Sequence, residues 1–244
     1  MMKRRARRAG TVMIVAGVLV LAWVVVVWRW QDPFTALYTT WKQHQLADDY
    51  SHRVAKFHAP KLSTGASLAV MRREVALEAK RYRKSSKRGE AIGRIKIPRL
   101  GLNMILVNGT DHDSLKKGPG RDLRTFMPGQ GELVYVAGHR TTYLAPFADI
   151  ESFRRGDSVT LEMPYATFLY RVTRHRIVAA TDVSQLKTHH REVLALQACH
   201  PRFFASQRYI VYAVPVRVEL RGGATFSLAS DKLAAPFHAY ASRR

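Results

Sequence analysis

Between Thr11 and Trp28 the chain carries no charge and is apolar almost throughout, a length suited to about one bilayer crossing. Lys3-Arg4-Arg5-Ala6-Arg7-Arg8 precedes this stretch, and Trp28-Arg29-Trp30 ends it as an aromatic and basic anchor. A cleavable signal peptide is the competing reading. Its apolar region would normally be shorter, about 7–15 residues, and would lead to a small-residue cleavage site. The pattern predicts an uncleaved single-pass anchor over 11–30, with a basic arm over 1–10 held in the cytoplasm. The rest of the chain then lies outside the cell membrane.

Beyond the anchor the period becomes helical. Asp32-Pro33 reads as a helix start, with Asp as N-cap and Pro at the first helical position. Phe34, Leu37, Tyr38 and Trp41 then form one apolar stripe, which either lies in the membrane interface or packs on the domain. Leu68, Met71, Val75 and Tyr82 mark a second helix, followed by the basic tract Arg83 to Gly89. That tract is read as a domain boundary, making 31–89 a juxtamembrane helical stalk or linker.

From Ala91 the period drops to two. Ile95 and Ile97 alternate with Arg94 and Lys96, and Leu102–Val107 follows a turn over Pro98–Gly101. Asp111 to Lys117 reads as one short helix, capped by Asp111 or Asp113 and stopped by Gly118. Further strand-like runs are Leu133–Ala137, Ser158–Glu162, Phe168–Val172, Ile177–Ala180, Val193–Ala198 and Tyr209–Val218. Many short strands joined by turns predict an all-β domain over 90–220, a closed or nearly closed barrel. Residues 221–244 read as an exposed C-terminal tail.

Charge narrows the surroundings. With 40 Lys and Arg against 18 Asp and Glu the formal net charge is +22, which suits an anionic environment such as lipid or acidic wall polymer. No base-reading motif or aromatic-interleaved basic ribbon is present, so no nucleic-acid partner is expected. The chain has a single cysteine, Cys199, which excludes an internal disulfide. His189-His190 has no second cluster at ligand spacing, and no metal or cofactor is assigned.

Cys199 is therefore either a small buried apolar residue or a nucleophile. It ends the apolar run Val193 to Ala198, is followed by His200-Pro201, and precedes Arg208, which opens the run Tyr209 to Val214. Upstream, Val134-Tyr135-Val136-Ala137-Gly138-His139-Arg140-Thr141-Thr142-Tyr143 ends a strand on a histidine. This combination closely resembles the active-site end of the sortases, membrane-anchored cysteine transpeptidases of Gram-positive bacteria. The segment Asp111 to Gly120 and Thr125-Phe126-Met127-Pro128-Gly129 also resembles family landmarks. The likeness covers about Gly89 to Leu220. His139 to Tyr143 with Ala145-Pro146-Phe147 looks most like class E sortases.

The resemblance implies an eight-stranded sortase-type β-barrel with short helices, behind the transmembrane and juxtamembrane helices. It implies Cys199 as nucleophile, His139 as general acid and base, and Arg208 as the donor to substrate or oxyanion. Its substrates would be secreted proteins with LPxTG- or LAxTG-like C-terminal sorting signals, cut between Thr and Gly. Acceptors would be an amine of a cell-wall precursor or of a pilin. A hydrolase using the same three residues, and a non-catalytic tethered binder of acidic wall polymer, are the alternatives. Two positions depart from the family pattern: Ala198 where many members carry Thr before the cysteine, and Arg121 where many carry His. His200 should point away from the thiol, because successive strand residues face opposite sides.

Overall fold

The structure is a computed structural model and describes residues 2–30, 33–58, 66–188 and 190–228. Three long helices come first: α1 (Met2–Trp30), α2 (Pro33–Lys56) and α3 (Leu68–Ser85). The strands follow as β1 (Ala91–Ile97), β2 (Leu102–Asn108), β3 (Gly120–Arg121), β4 (Leu133–Ala137), β5 (Ser158–Glu162), β6 (Ala166–Ala179), β7 (Val193–His200), β8 (Gln207–Leu220) and β9 (Thr225–Ser227). A four-residue helix, α4 (His112–Leu115), sits between β2 and β3. Asp111 caps it by accepting from the Ser114 amide at 3.1 Å.

The sheet runs in the order β6-β5-β1-β2-β3-β4-β7-β8, and pairing of β8 with β6 closes it into an eight-stranded barrel. Strand β9 adds to β8 outside that ring. Two parallel contacts, β2 with β3 and β4 with β7, interrupt an otherwise antiparallel barrel. The barrel's interior is filled by alternate residues of its strands, among them Ile95, Ile97, Val134, Val136, Leu194, Leu196, Ala198 and Val211. Burying such side chains is worth about 1.5–3 kcal/mol each.

Three expectations need correction. The runs Phe168–Val172 and Ile177–Ala180 belong to one strand, β6, with an irregularity between Val172 and Arg174 where the pairing to β8 shifts. The segment 31–89 is not a linker. Leu46 and Tyr50 of α2 pack on Ala91, Ile105 and Val107, and Val75 and Ala79 of α3 join the barrel's own core. Gly129 allows that approach: a Cβ there would lie 2.4 Å from Val75 Cγ1, and its φ of +91° suits glycine. Nor is the chain after Arg221 simply a tail, since β9 buries Phe226 against the same core. Residues 229–244 lie outside the described residues, as does the expected cap Asp32.

The stripe on α2 settles differently from either helix partner inside the domain. Phe34, Leu37 and Trp41 are 71%, 73% and 52% exposed. The face turned to the barrel is instead Thr39, Gln43, Leu46 and Tyr50. Thr39 Oγ1 donates to the Lys116 carbonyl at 2.8 Å, and Gln43 both donates to Ile105 O and accepts from Ile105 N. Helix α1 contains one segment long and apolar enough to cross a membrane, Arg7–Val26, and none of it is buried.

Candidate active site

Cys199 and Arg208 arrive on neighbouring strands, and His139 just after a third. In the β7–β8 ladder Cys199 stands directly opposite Arg208. On the other side of β7, Ala137 pairs with Gln197 and the Gly138 amide donates to Gln197 O at 3.0 Å. His139 follows two residues beyond Ala137, just past the end of β4. In the sheet order β4-β7-β8, Cys199 lies on the middle strand, with Arg208 on one neighbour and His139 just after the other. Gly138 makes this possible, because a Cβ there would sit 2.7 Å from the Phe147 ring.

Strand alternation sorts the faces. Ala198 belongs to the barrel core with no exposed surface, so Cys199 projects outward and is only partly covered. The departure at Ala198 thus changes the interior of the barrel and not the surface beside the thiol. His200 turns inward, as expected, with its ring 5.8 Å from Tyr209 and its Nδ1 3.2 Å from Arg140 Nη1 and 3.1 Å from Glu151.

His139 is partly buried, and its ring lies 5.0 Å from that of Tyr143. Loss of hydration, with a smaller contribution from nearby His112, holds its pKa below the ordinary imidazole value. Among the described residues no group accepts from or donates to its buried Nε2, a rare state for a buried polar atom. The following turn is unusual: Tyr143, Leu144 and Ala145 all have positive φ, at 54°, 61° and 38°. Such backbone persists only where neighbours hold it. One of those neighbours is Thr35 at the start of α2, whose Oγ1 accepts from the Tyr143 amide at 3.1 Å.

Arg208 bends back along its own loop, with Nη1 donating to Ala205 O at 2.7 Å and Gln207 O at 2.9 Å. Arg202 is exposed and pairs with Asp149 at 2.6 Å. The same loop exposes Phe203 and Phe204.

Sequence reasoning quoted Arg140 only as part of the motif, and its contacts are the larger surprise. Its buried guanidinium donates to Cys199 O at 3.2 Å and Ala148 O at 3.3 Å, and pairs with Glu151 at 2.6 Å. It therefore ties the cysteine strand to the loop after His139. Arg121 is also fully buried. It donates to Asn108 Oδ1 at 2.7 and 3.1 Å and to Thr125 O at 2.5 Å, and burial brings its pKa down to about 10. It holds loops together and offers no surface to a ligand.

The expected His pair leads elsewhere: His190 Nδ1 lies 3.0 Å from Glu132, and His189 lies outside the described residues. No group of three or more His, Cys, Asp and Glu placed to hold a metal ion occurs among the described residues.

Comparison with known proteins identifies the family. The sortase-domain family pattern matches residues 95–216, half of the chain. The chain belongs to the sortase family. It is 32% identical over 128 residues to sortase D of Bacillus subtilis, a match covering 51% of this chain and 63% of that one. The chain thus spans under two thirds of that relative's length. Sortase E1 of Streptomyces coelicolor, solved with a tripeptide in its active site, has the same fold at 23% identity. Its TM-score is 0.52, over 57% of this chain and 95% of that one. Sortase C of Clostridium perfringens, solved with the C-terminal cell wall sorting motif, reaches a TM-score of 0.58 at 19% identity. That match covers 71% of this chain and 98% of that one. Sortases of classes C and E thus share this fold, and a sortase D is similar in sequence.

Proposed function

We propose that this sortase is a membrane-anchored cysteine transpeptidase, with Cys199 as nucleophile, His139 as proton carrier and Arg208 as electrostatic donor. The observation that supports the proposal is the register: Cys199 faces Arg208 across β7 and β8, while β4, paired with β7 up to Ala137, leads through Gly138 to His139, whose imidazole Nε2 has no partner among the described residues. An unpaired buried nitrogen next to an outward-facing thiol suits a group that must pick up and deliver a proton.

The reaction follows from the chemistry of these groups. The Cys199 thiolate attacks the Thr carbonyl of a sorting signal with an LPxTG- or LAxTG-like motif, forming a C–S bond and a tetrahedral oxyanion. Arg208 swings its guanidinium from the loop carbonyls toward that oxyanion or the adjoining peptide carbonyl. Collapse breaks the Thr–Gly C–N bond, and His139 protonates the departing amine. An incoming amine then attacks the thioester and gives its proton to His139, and the C–S bond breaks to restore the thiolate. The acceptor is an amine of a cell-wall precursor, with a pilin amine as the variant that would make polymers.

Helix α1 supplies the anchor. Its basic start favours the cytoplasmic side, leaving the barrel outside. Exposed Phe203 and Phe204, on the loop that follows the cysteine strand, suit the apolar part of a peptide signal.

The test uses a soluble sorting-signal peptide with an amine nucleophile, and mass spectrometry of the products. The wild type should yield the amide-transfer product, and Cys199→Ala should yield neither transfer nor cleavage at an unchanged melting temperature. Turnover by Cys199→Ala would sink the cysteine mechanism. A carboxylic acid as sole product would replace transferase with hydrolase.

A further inference from the structure

We infer that the first two turns of α2 lie in the headgroup layer of the membrane that α1 crosses, so that the His139 loop opens directly onto the lipid surface. The inference rests on the anchoring role of α1 proposed above. It starts from three exposed apolar residues on one helix face, Phe34, Leu37 and Trp41, with Tyr38 beside them. That face points away from the barrel, which takes the opposite face through Thr39, Gln43, Leu46 and Tyr50. Without lipid such a stripe would stay in water, where large apolar side chains are not usually clustered.

The stripe's position relative to α1 identifies the occupant. If α2 continued α1 in line, residue 34 would lie about 16 Å beyond residue 23 along the axis. Instead the rings of Trp23 and Phe34 meet at 5.7 Å, so the start of α2 folds back beside the end of α1. Trp23 lies within the apolar segment Arg7–Val26, three residues from its end. Phe34 is thereby brought to the depth where hydrocarbon gives way to headgroups. Aromatic rings favour that level, and the Lys42 ammonium 4.1 Å over the Trp41 ring suits an anionic headgroup layer. Further along the same face come Gln45, Asp48 and His52, all exposed and polar. The helix therefore leaves the interface after about two turns.

The catalytic end follows. Thr35, between Phe34 and Leu37, holds the Tyr143 amide, and the Tyr143 ring lies against His139. A substrate still held in the bilayer by its own apolar span would present its signal at the level of the site.

The full-length chain tests this in vesicles of equal parts phosphatidylcholine and phosphatidylglycerol. A benzophenone amino acid is placed singly at positions 15, 37 and 183, and each protein is checked for turnover of a soluble peptide. Irradiation should give lipid adducts at 15 and 37 and none at 183, which sits on an exposed loop far along the chain. Lipid adducts at 15 alone would overturn the interfacial placement while leaving the anchor intact. No lipid adduct at 15 would remove the anchor and this inference with it. Protein–protein adducts at 37 would assign the stripe to a second copy of the chain and overturn the inference.

Discussion

Cys199 and Arg208 are set by a ladder, whereas His139 is set by a loop, and the two ends of the site are stabilised differently. In the ladder, one register error would turn the thiol into the barrel interior, so the packing of Ala198, Leu196 and Val211 itself enforces the alignment. In the loop, nothing repeats. His139 depends on Gly138 slipping past Phe147, on three consecutive left-handed residues, and on a hydroxyl from α2. Arg140 bridges the two regions through Cys199 O and Glu151. Cys199 is as firm as the barrel, and His139 is only as firm as its supports.

The largest effect that tests this contrast is His139→Ala. Loss of the proton carrier should cut turnover by about 10²–10⁴-fold while the melting temperature holds, because a loop residue with an unpaired nitrogen adds little to the barrel. A loss under about tenfold in single-turnover assays would assign the proton transfers to another group.

Next comes Arg208→Lys, which keeps the charge and loses the fork. We expect a drop of about 10²-fold, comparable to losing one oxyanion donor. Arg202→Ala, which removes an exposed pair with Asp149 and a hydrogen bond to the Ala148 carbonyl, should be mild, as exposed pairs contribute about 0–1 kcal/mol. Measured on one peptide, the reverse order would move the third role to Arg202.

Smaller is the effect of Thr35→Val, which strips the acceptor from the Tyr143 amide. A hydrogen bond of net worth about 0.5–1.5 kcal/mol corresponds to a loss of at most about tenfold in turnover. Binding of the peptide should change less than kcat. An unchanged kcat would show that the left-handed turn stands without α2.

The smallest prediction concerns pH. His112 adds to the lowering of the His139 pKa, so His112→Gln should raise that pKa. A lowered pKa means that His139 loses its proton at lower pH than a free imidazole, and the variant should retain it to higher pH. The His139 limb of the kcat/KM profile should move upward in pH. A shift downward would mean that His112 acts other than as a charge.

Much of the ladder could be read from the chain. Alternation exposed β1 and β5 because each has one clear apolar face, β4 stood out as an apolar run buried on both sides, and the ends of β7 and β8 were marked by Cys199 and Arg208. Strand β6 was harder, since Thr173 to Arg176 is polar and falls where the pairing shifts. Helix α2 was misleading in a more instructive way. Its apolar stripe left packing and the membrane interface equally open, yet the barrel holds Thr39 and Gln43 through backbone carbonyls, and hydropathy is blind to that kind of contact. Arg140 shows the same limit: its role depends on Glu151, eleven residues on, and on a carbonyl of another strand. The family motif located His139, but not what keeps it in place.

Closure of the barrel has a consequence for how a peptide can be gripped. Strand β8 gives one side to β6 along its length and divides the other between β7 and β9. Beside Arg208, therefore, β8 has no free side. A peptide lying there cannot gain affinity by joining β8 as another strand, the mode in which backbone bonds supply strength irrespective of side chains. Recognition must come instead from pockets for individual side chains across the strand ends, a reader of spelling more than of shape.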